Sequence, residues 1–189
     1  MNYSTYYRTL IRKIYAGSDS ARSEAADRAR SRLPDIPFEI VDGPTDIPEA
    51  DRTGTTIYLG GQRGAPVTRC PGTNGHVCCN YLTVELYSGC PIGCTYCIMR
   101  SYLNFSPVSV VTDTGPLIAE MRRVALANPD SMVRVGSGET GDSLLYDPLF
   151  ELSREILEGV ADLDNVFFEM KTKTDLVEHL LSLPRKGNG

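Results

Sequence analysis

Three cysteines stand within eight residues of one another, in the run Cys90-Pro-Ile-Gly-Cys94-Thr-Tyr-Cys97. Thiolates at this spacing, with Gly93 to relieve the tight turn, can wrap around one corner of a cubane iron–sulfur cluster. Three ligands for four irons leave one iron open, and an open iron can be chelated by a small molecule that carries amino and carboxylate groups. The competing chemistry is a structural zinc site completed by His76, Cys78 or Cys79, since structural zinc takes four Cys or His ligands. Zinc knuckles more often pair two Cys-x2-Cys units, whereas here a single such unit is preceded by one extra cysteine. The cluster is the stronger reading.

All six cysteines fall between positions 70 and 97 in a chain of 189 residues. No stretch approaches the ~20 consecutive apolar residues that span a bilayer, and MNYSTYYRTLIRK lacks the apolar core of a secretory signal. The expectation is a cytoplasmic protein with no membrane partner, in which clustered cysteines bind metal or do redox chemistry and do not pair as disulfides. Composition is that of an ordinary globular chain, 41% hydrophobic and 23% charged, and 17 glycines with 12 prolines point away from a helical bundle. The formal charge of −5 divides into about +1 over residues 1–80 and −6 over residues 81–189. Such a chain has no overall electrostatic footprint for polyanions. Arg22, Arg28, Arg30 and Arg32, on one helix with Glu24 and Asp27, read as a solvated mixed-charge face.

The elements that must carry the cysteine loop are clearest in the second half. YLTVELY (81–87) is a β-branched and aromatic strand ending at Ser88 and Gly89, so the loop leaves a strand's C-terminal end. A short helix over Ile98 to Tyr102 and the extended VSVVTD follow. A helix then opens at Asp113 or Thr114, with Pro116 in its first turn and Leu117, Met121 and Val124 on one face, and stops at Asn128 and Pro129. The strand MVRVGSG (132–138) runs into a glycine-rich turn, and Asp147-Pro148 starts a helix with Leu149, Leu152 and Ile156 on one side. The strand NVFFEMK (165–171) precedes a helix capped by Thr174, burying Val177, Leu180 and Leu181 and ended by Pro184. Strand and helix alternate three times, which predicts a parallel sheet with ligands at its C-terminal strand ends. The first 80 residues predict a helix near Ser20 to Leu33 and strands at Phe38 to Val41 and Thr55 to Gly61, in a smaller mixed α/β extension. Three βα units leave an open sheet, so the chain is expected to stop before its fold does.

The cysteine loop, with an aromatic before its last cysteine, resembles the signature of radical S-adenosylmethionine (SAM) enzymes. Its surroundings, CPGTNGHVCCNYLTVELYSGCPIGCTYCIMRSYLN, then GSGETGDSL, then FFEMKTKTDLVEHLL, are similar to the spore photoproduct lyase-like branch. The resemblance implies an α/β fold, the N-terminal half of a partial (β/α)6 barrel over residues 81–189, with the extension at 1–80. It implies a four-iron four-sulfur cluster on Cys90, Cys94 and Cys97, and SAM on the open iron, cleaved to a 5′-deoxyadenosyl radical that abstracts hydrogen from an unknown substrate. The backbone near Tyr96 would lie by the adenine. Gly136, Ser137, Gly138 and Glu139 would meet the SAM ammonium, and Ser143 and Lys173 its carboxylate or ribose, with Lys171 as a rival for the lysine role. Flavodoxin or ferredoxin would be the electron donor.

In the photoproduct lyases a cysteine after the second strand donates hydrogen to the product radical, and Glu139 stands there in this chain. A carboxylate does not donate a hydrogen atom as a thiol does, so DNA photoproduct repair, with DNA as partner, rests on family analogy alone. The alternative to the enzymatic reading is a non-catalytic fragment or zinc-binding module. Cys70, Cys78 and Cys79 are expected to pack as small hydrophobes, and His76 and His179 to be structural. Tyr3, Tyr6 and Tyr7 are not spaced as a base-stacking platform.

Overall fold

The computed structural model describes residues 3–61, 64–70, 72, 75, 77, 79–103 and 107–183, the side chain of Arg100 excepted. His76, Cys78 and Pro184, singled out above, lie outside the described residues.

Helix α1 (Tyr3–Leu10) buries Tyr7, whose hydroxyl donates to the Leu145 carbonyl at 2.8 Å. Strand β1 (Lys13–Gly17) follows. Neither element was anticipated: KIYAG is too short and too evenly buried to show alternation. Helix α2 (Glu24–Arg32) is capped by Ser23, which accepts the Ala26 N–H, and it lays Ala25, Ala26 and Ala29 into the core. Strands β2 (Phe38–Val41) and β3 (Thr56–Gly60) are where the sequence places them. Then come β4 (Thr68–Arg69), β5 (Leu82–Thr83), β6 (Tyr87–Ser88), α3 (Met99–Tyr102), β7 (Val108–Val111) and α4 (Gly115–Leu126). The last elements are β8 (Val133–Ser137), α5 (Asp147–Phe150), α6 (Leu152–Gly159) and β9 (Val166–Met170).

Two sheets result. The larger has the order β2-β1-β3-β7-β6; its first four strands are parallel, with Ile14 beside both Phe38 and Ile57 and with Leu59 beside Val110, and β6 runs antiparallel to β7. The smaller has the order β4-β5-β8-β9, in which β5, β8 and β9 are parallel and β4 is antiparallel to β5. Those three parallel strands are the starts of the three predicted βα units. One hydrophobic cluster unites Tyr7, Ile14, Leu59 and Val110 with Val135, Phe150 and Phe168. Among the described residues no helix is long and apolar enough to cross a membrane.

Four expectations change. The single strand at 81–87 is two: Val84 donates to the Gly136 carbonyl at 2.9 Å in the small sheet, and the Leu86 carbonyl accepts from Val111 at 3.0 Å in the large one. The segment therefore passes from one sheet to the other. The extended VSVVTD, read as part of the second half, joins β3 of the first. The helix at Asp147 breaks at Glu151, which takes a left-handed φ of 57°, although Leu149, Leu152 and Ile156 are buried together as predicted. The carbonyls that a continuous helix would use are taken elsewhere: Arg32 donates to those of Pro148 (2.9 Å) and Leu149 (2.8 Å), and Arg28 to that of Phe150. The final helix is a single 3-10 turn at Glu178–Leu180; Val177 and Leu181 are exposed, and Leu176 is buried in their place.

Arg28 and Arg32 thus leave the solvated face that was expected, whereas Arg22 and Arg30 remain exposed and Arg30 pairs with Asp27 there. Arg28 also pairs with Glu155 and Glu24, and Arg32 with Glu151, so the helix is fastened to α5 and α6 by charge-assisted bonds.

Candidate metal and cofactor site

The cysteine loop begins where β6 ends. Gly89 takes a φ of 92° and donates to the Thr140 carbonyl at 3.0 Å, and Gly89 and Gly141 form a parallel bridge. A Cβ at Gly141 would lie 2.6 Å from the Tyr87 carbonyl oxygen, so only glycine lets the turn after β8 press against the strand that delivers Cys90. Within the loop Gly93 has a φ of 72° and the Cys97 N–H donates to the Cys94 carbonyl at 3.1 Å. Cys90, Cys94 and Cys97 are all free thiols.

The Cys90 thiol is pushed above its ordinary pKa, first by partial withdrawal from water and then by Asp142, Cys94 and Cys97. The three sulfurs are not drawn onto one point: among the described residues no group of three His, Cys, Asp or Glu side chains is gathered as a metal site. Donor type and spacing along the chain fit a cluster held by thiolates.

The other predicted residues separate into two kinds. Ser137 and Ser143 are 1% exposed, and their hydroxyls bond each other at 2.8 Å, while the Ser143 Oγ also accepts the Lys171 N–H at 3.0 Å. These serines are committed to the protein. So are the two glycines: a Cβ at Gly136 would meet the Tyr81 hydroxyl at 1.5 Å, and one at Gly138 (φ 90°) would meet the Ser143 Oγ at 2.6 Å and the Lys171 carbonyl at 2.8 Å. At both positions a neighbouring part of the chain occupies the space that a side chain would need. By contrast Tyr96 is 77% exposed, and Lys173 is also exposed. Glu139 forms an ion pair with Lys171, the rival lysine, which lies over the Tyr81 ring.

Two buried aspartates were not singled out as site residues. Asp142 accepts from Leu144 N (3.0 Å), Leu145 N (2.9 Å), the Thr172 hydroxyl (2.8 Å) and Lys173 N (2.7 Å), tying the turn after β8 to the one after β9. Its signal in the sequence is an Asp followed by Ser-Leu-Leu, a local side-chain-to-backbone turn. Asp147, read as a helix cap, is fully buried and accepts from the Tyr87 hydroxyl (2.8 Å) and Ser153 N (2.9 Å), with His179 Nε2 at 2.7 Å. His179 is structural, as expected. Cys79 is exposed and does not pack as a small hydrophobe, and Cys70 is half-buried.

No family model matches the chain, and no curated protein matches it. Solved structures do. A spore photoproduct lyase mutant with bound AdoMet and dinucleoside spore photoproduct aligns with 92% of this chain and 53% of its own, at a TM-score of 0.76 and 16% identity. Spore photoproduct lyase complexed with dinucleoside spore photoproduct aligns at a TM-score of 0.75 and 15% identity, with the same coverage. The chain spans about half the length of these structures, and over that half it has the fold of spore photoproduct lyase.

Proposed function

We propose that the chain holds a four-iron four-sulfur cluster on Cys90, Cys94 and Cys97, with S-adenosylmethionine beside it, and serves radical hydrogen abstraction from a substrate. The observation that carries this reading is the loop of three free thiols at the exit of β6, whose first residue follows Gly89, itself bridged to Gly141 just beyond the Gly-Ser-Gly-Glu turn of β8. The shared fold with a lyase solved with AdoMet supports it.

Bound there, cluster and SAM would together supply one-electron cleavage to methionine and a 5′-deoxyadenosyl radical. The protein's part is to bind and orient. Glu139 is the carboxylate at the turn, able to accept an ammonium once Lys171 yields it. Exposed Lys173, whose backbone Asp142 fixes, offers a positive charge to a carboxylate. Tyr96 leaves its backbone and ring open beside Cys97, where an adenine could lie. Ser137, Ser143, Gly136 and Gly138 shape the turn from behind. An electron carrier of the flavodoxin or ferredoxin kind is the proposed partner. Repair of a DNA photoproduct would need a hydrogen-atom donor other than Glu139.

Anaerobic reconstitution with iron and sulfide tests the reading. The expected protein is brown, with ~4 irons per chain, and Cys94→Ala is colourless. A colourless wild type carrying stoichiometric zinc would replace this reading with a structural zinc site.

A further inference from the structure

Asp142 is 6% exposed, and among the described residues the hydrogen bonds that it receives come from neutral donors: three backbone N–H groups and one hydroxyl. It follows directly on Gly141, whose bridge to Gly89 places the start of this turn against the residue before Cys90. The bridge is parallel, so Cys90 and Asp142 are the residues that follow it on the two adjacent strands of backbone. A carboxylate held in this way is satisfied as a hydrogen-bond acceptor, yet its donors bring no opposite full charge. Its field therefore acts on whatever charge changes nearby. Groups just outside a metal's ligands set its electron affinity in this manner, and negative charge makes added electrons less welcome.

We propose that Asp142 is a positioning residue of the metal centre, which joins the turns after β8 and β9 around the cysteine loop and lowers the reduction potential of the centre held there. The inference rests on the reading of Cys90, Cys94 and Cys97 as metal ligands. It assigns Asp142 to the side of the centre nearest Cys90 and gives its charge a task separate from its hydrogen bonds.

The test uses the full chain, reconstituted anaerobically, with midpoint potentials read by a redox titration followed by electron paramagnetic resonance. Asp142→Asn and Asp142→Ser remove the charge; Thr172→Val removes one hydrogen bond to Asp142 and leaves the charge. The neutral variants are expected to be more positive, with about a tenfold change in the ratio of reduced to oxidised centre at fixed potential, about 59 mV for a one-electron couple. Thr172→Val should match the wild type. Equal potentials in wild type and neutral variants of the same iron content would overturn the inference. So would a shift in Thr172→Val as large as that in Asp142→Asn, or a failure of both neutral variants to load iron when Thr172→Val loads it. A wild type that takes up no iron fails at the earlier step and overturns the ligand reading itself.

Discussion

The joint of α2 with α5 and α6 and the loop from Cys90 to Cys97 both gather polar side chains, and they treat them in opposite ways. At the joint, Arg28 and Arg32 donate to the carbonyls of Pro148, Leu149 and Phe150 and pair with Glu151 and Glu155, while Asp147 beneath them receives Tyr87, Ser153 and His179. The chain satisfies itself there. At the loop the thiols are free, and Tyr96, Ile98 and Tyr102 are 77%, 70% and 74% exposed. Polar groups that close on one another hold a fold together, and reactive groups left facing outward are available to a ligand.

The comparison breaks most visibly at Asp147. Asp147→Ala would strand the Tyr87 hydroxyl, the Ser153 N–H and the His179 ring in the core, so a loss of about 3–5 kcal/mol in urea denaturation is expected. A loss under about 1 kcal/mol would show that the joint is not where stability resides.

Arg28→Met comes next. Its side chain is 15% exposed, and removing it leaves the Phe150 carbonyl without that donor, but Glu155 keeps the Thr114 hydroxyl at 2.6 Å. About 2 kcal/mol is expected, seen as a fall in Tm of roughly 4–8 °C.

Alkaline pH probes the same buried region. Burial pushes the Tyr7, Tyr87 and Tyr146 hydroxyls above the ordinary phenol value, with Asp147 adding to the effect at Tyr7 and Tyr87. The folded chain keeps these protons after the unfolded chain begins to lose them near pH ~10, so stability is level below that pH and falls above it. Denaturation at stepped pH should show the fall, and Tyr87→Phe should lessen its slope.

The smallest effect sharpens the contrast. In metal-free protein, Cys94→Ala should change stability by no more than about 0.5 kcal/mol, because among the described residues no hydrogen bond is made to that thiol. The same substitution is expected to abolish iron uptake. A large loss of stability without metal would make the cysteine structural.

Much of this was legible in the residues. The strands at Val133–Ser137 and Val166–Met170 and the glycine-rich turn after the first of them are local signals, and the structure has them where they were read. Arg28 and Arg32 were misread because their partners lie more than a hundred positions away, and a helix with mixed charge looks alike whether its far side is water or carbonyl oxygen. Asp142 and Asp147 were hidden for the same reason: Thr172 and Lys173, which meet the first, and Tyr87 and His179, which meet the second, are remote in sequence.

What the sequence determined by itself is the donor set, three thiols whose separation along the backbone fixes how closely they can meet, together with the short-range caps and turns. Tertiary structure alone decided that YLTVELY would serve two sheets, that the helix at Asp147 would break to give its carbonyls to Arg28 and Arg32, and that the Tyr81 hydroxyl would lie where a side chain at Gly136 would have to go. These outcomes depend on which distant surfaces meet. Periodicity and propensity carry no record of that meeting, because each describes a segment against its own neighbours and not against the rest of the chain.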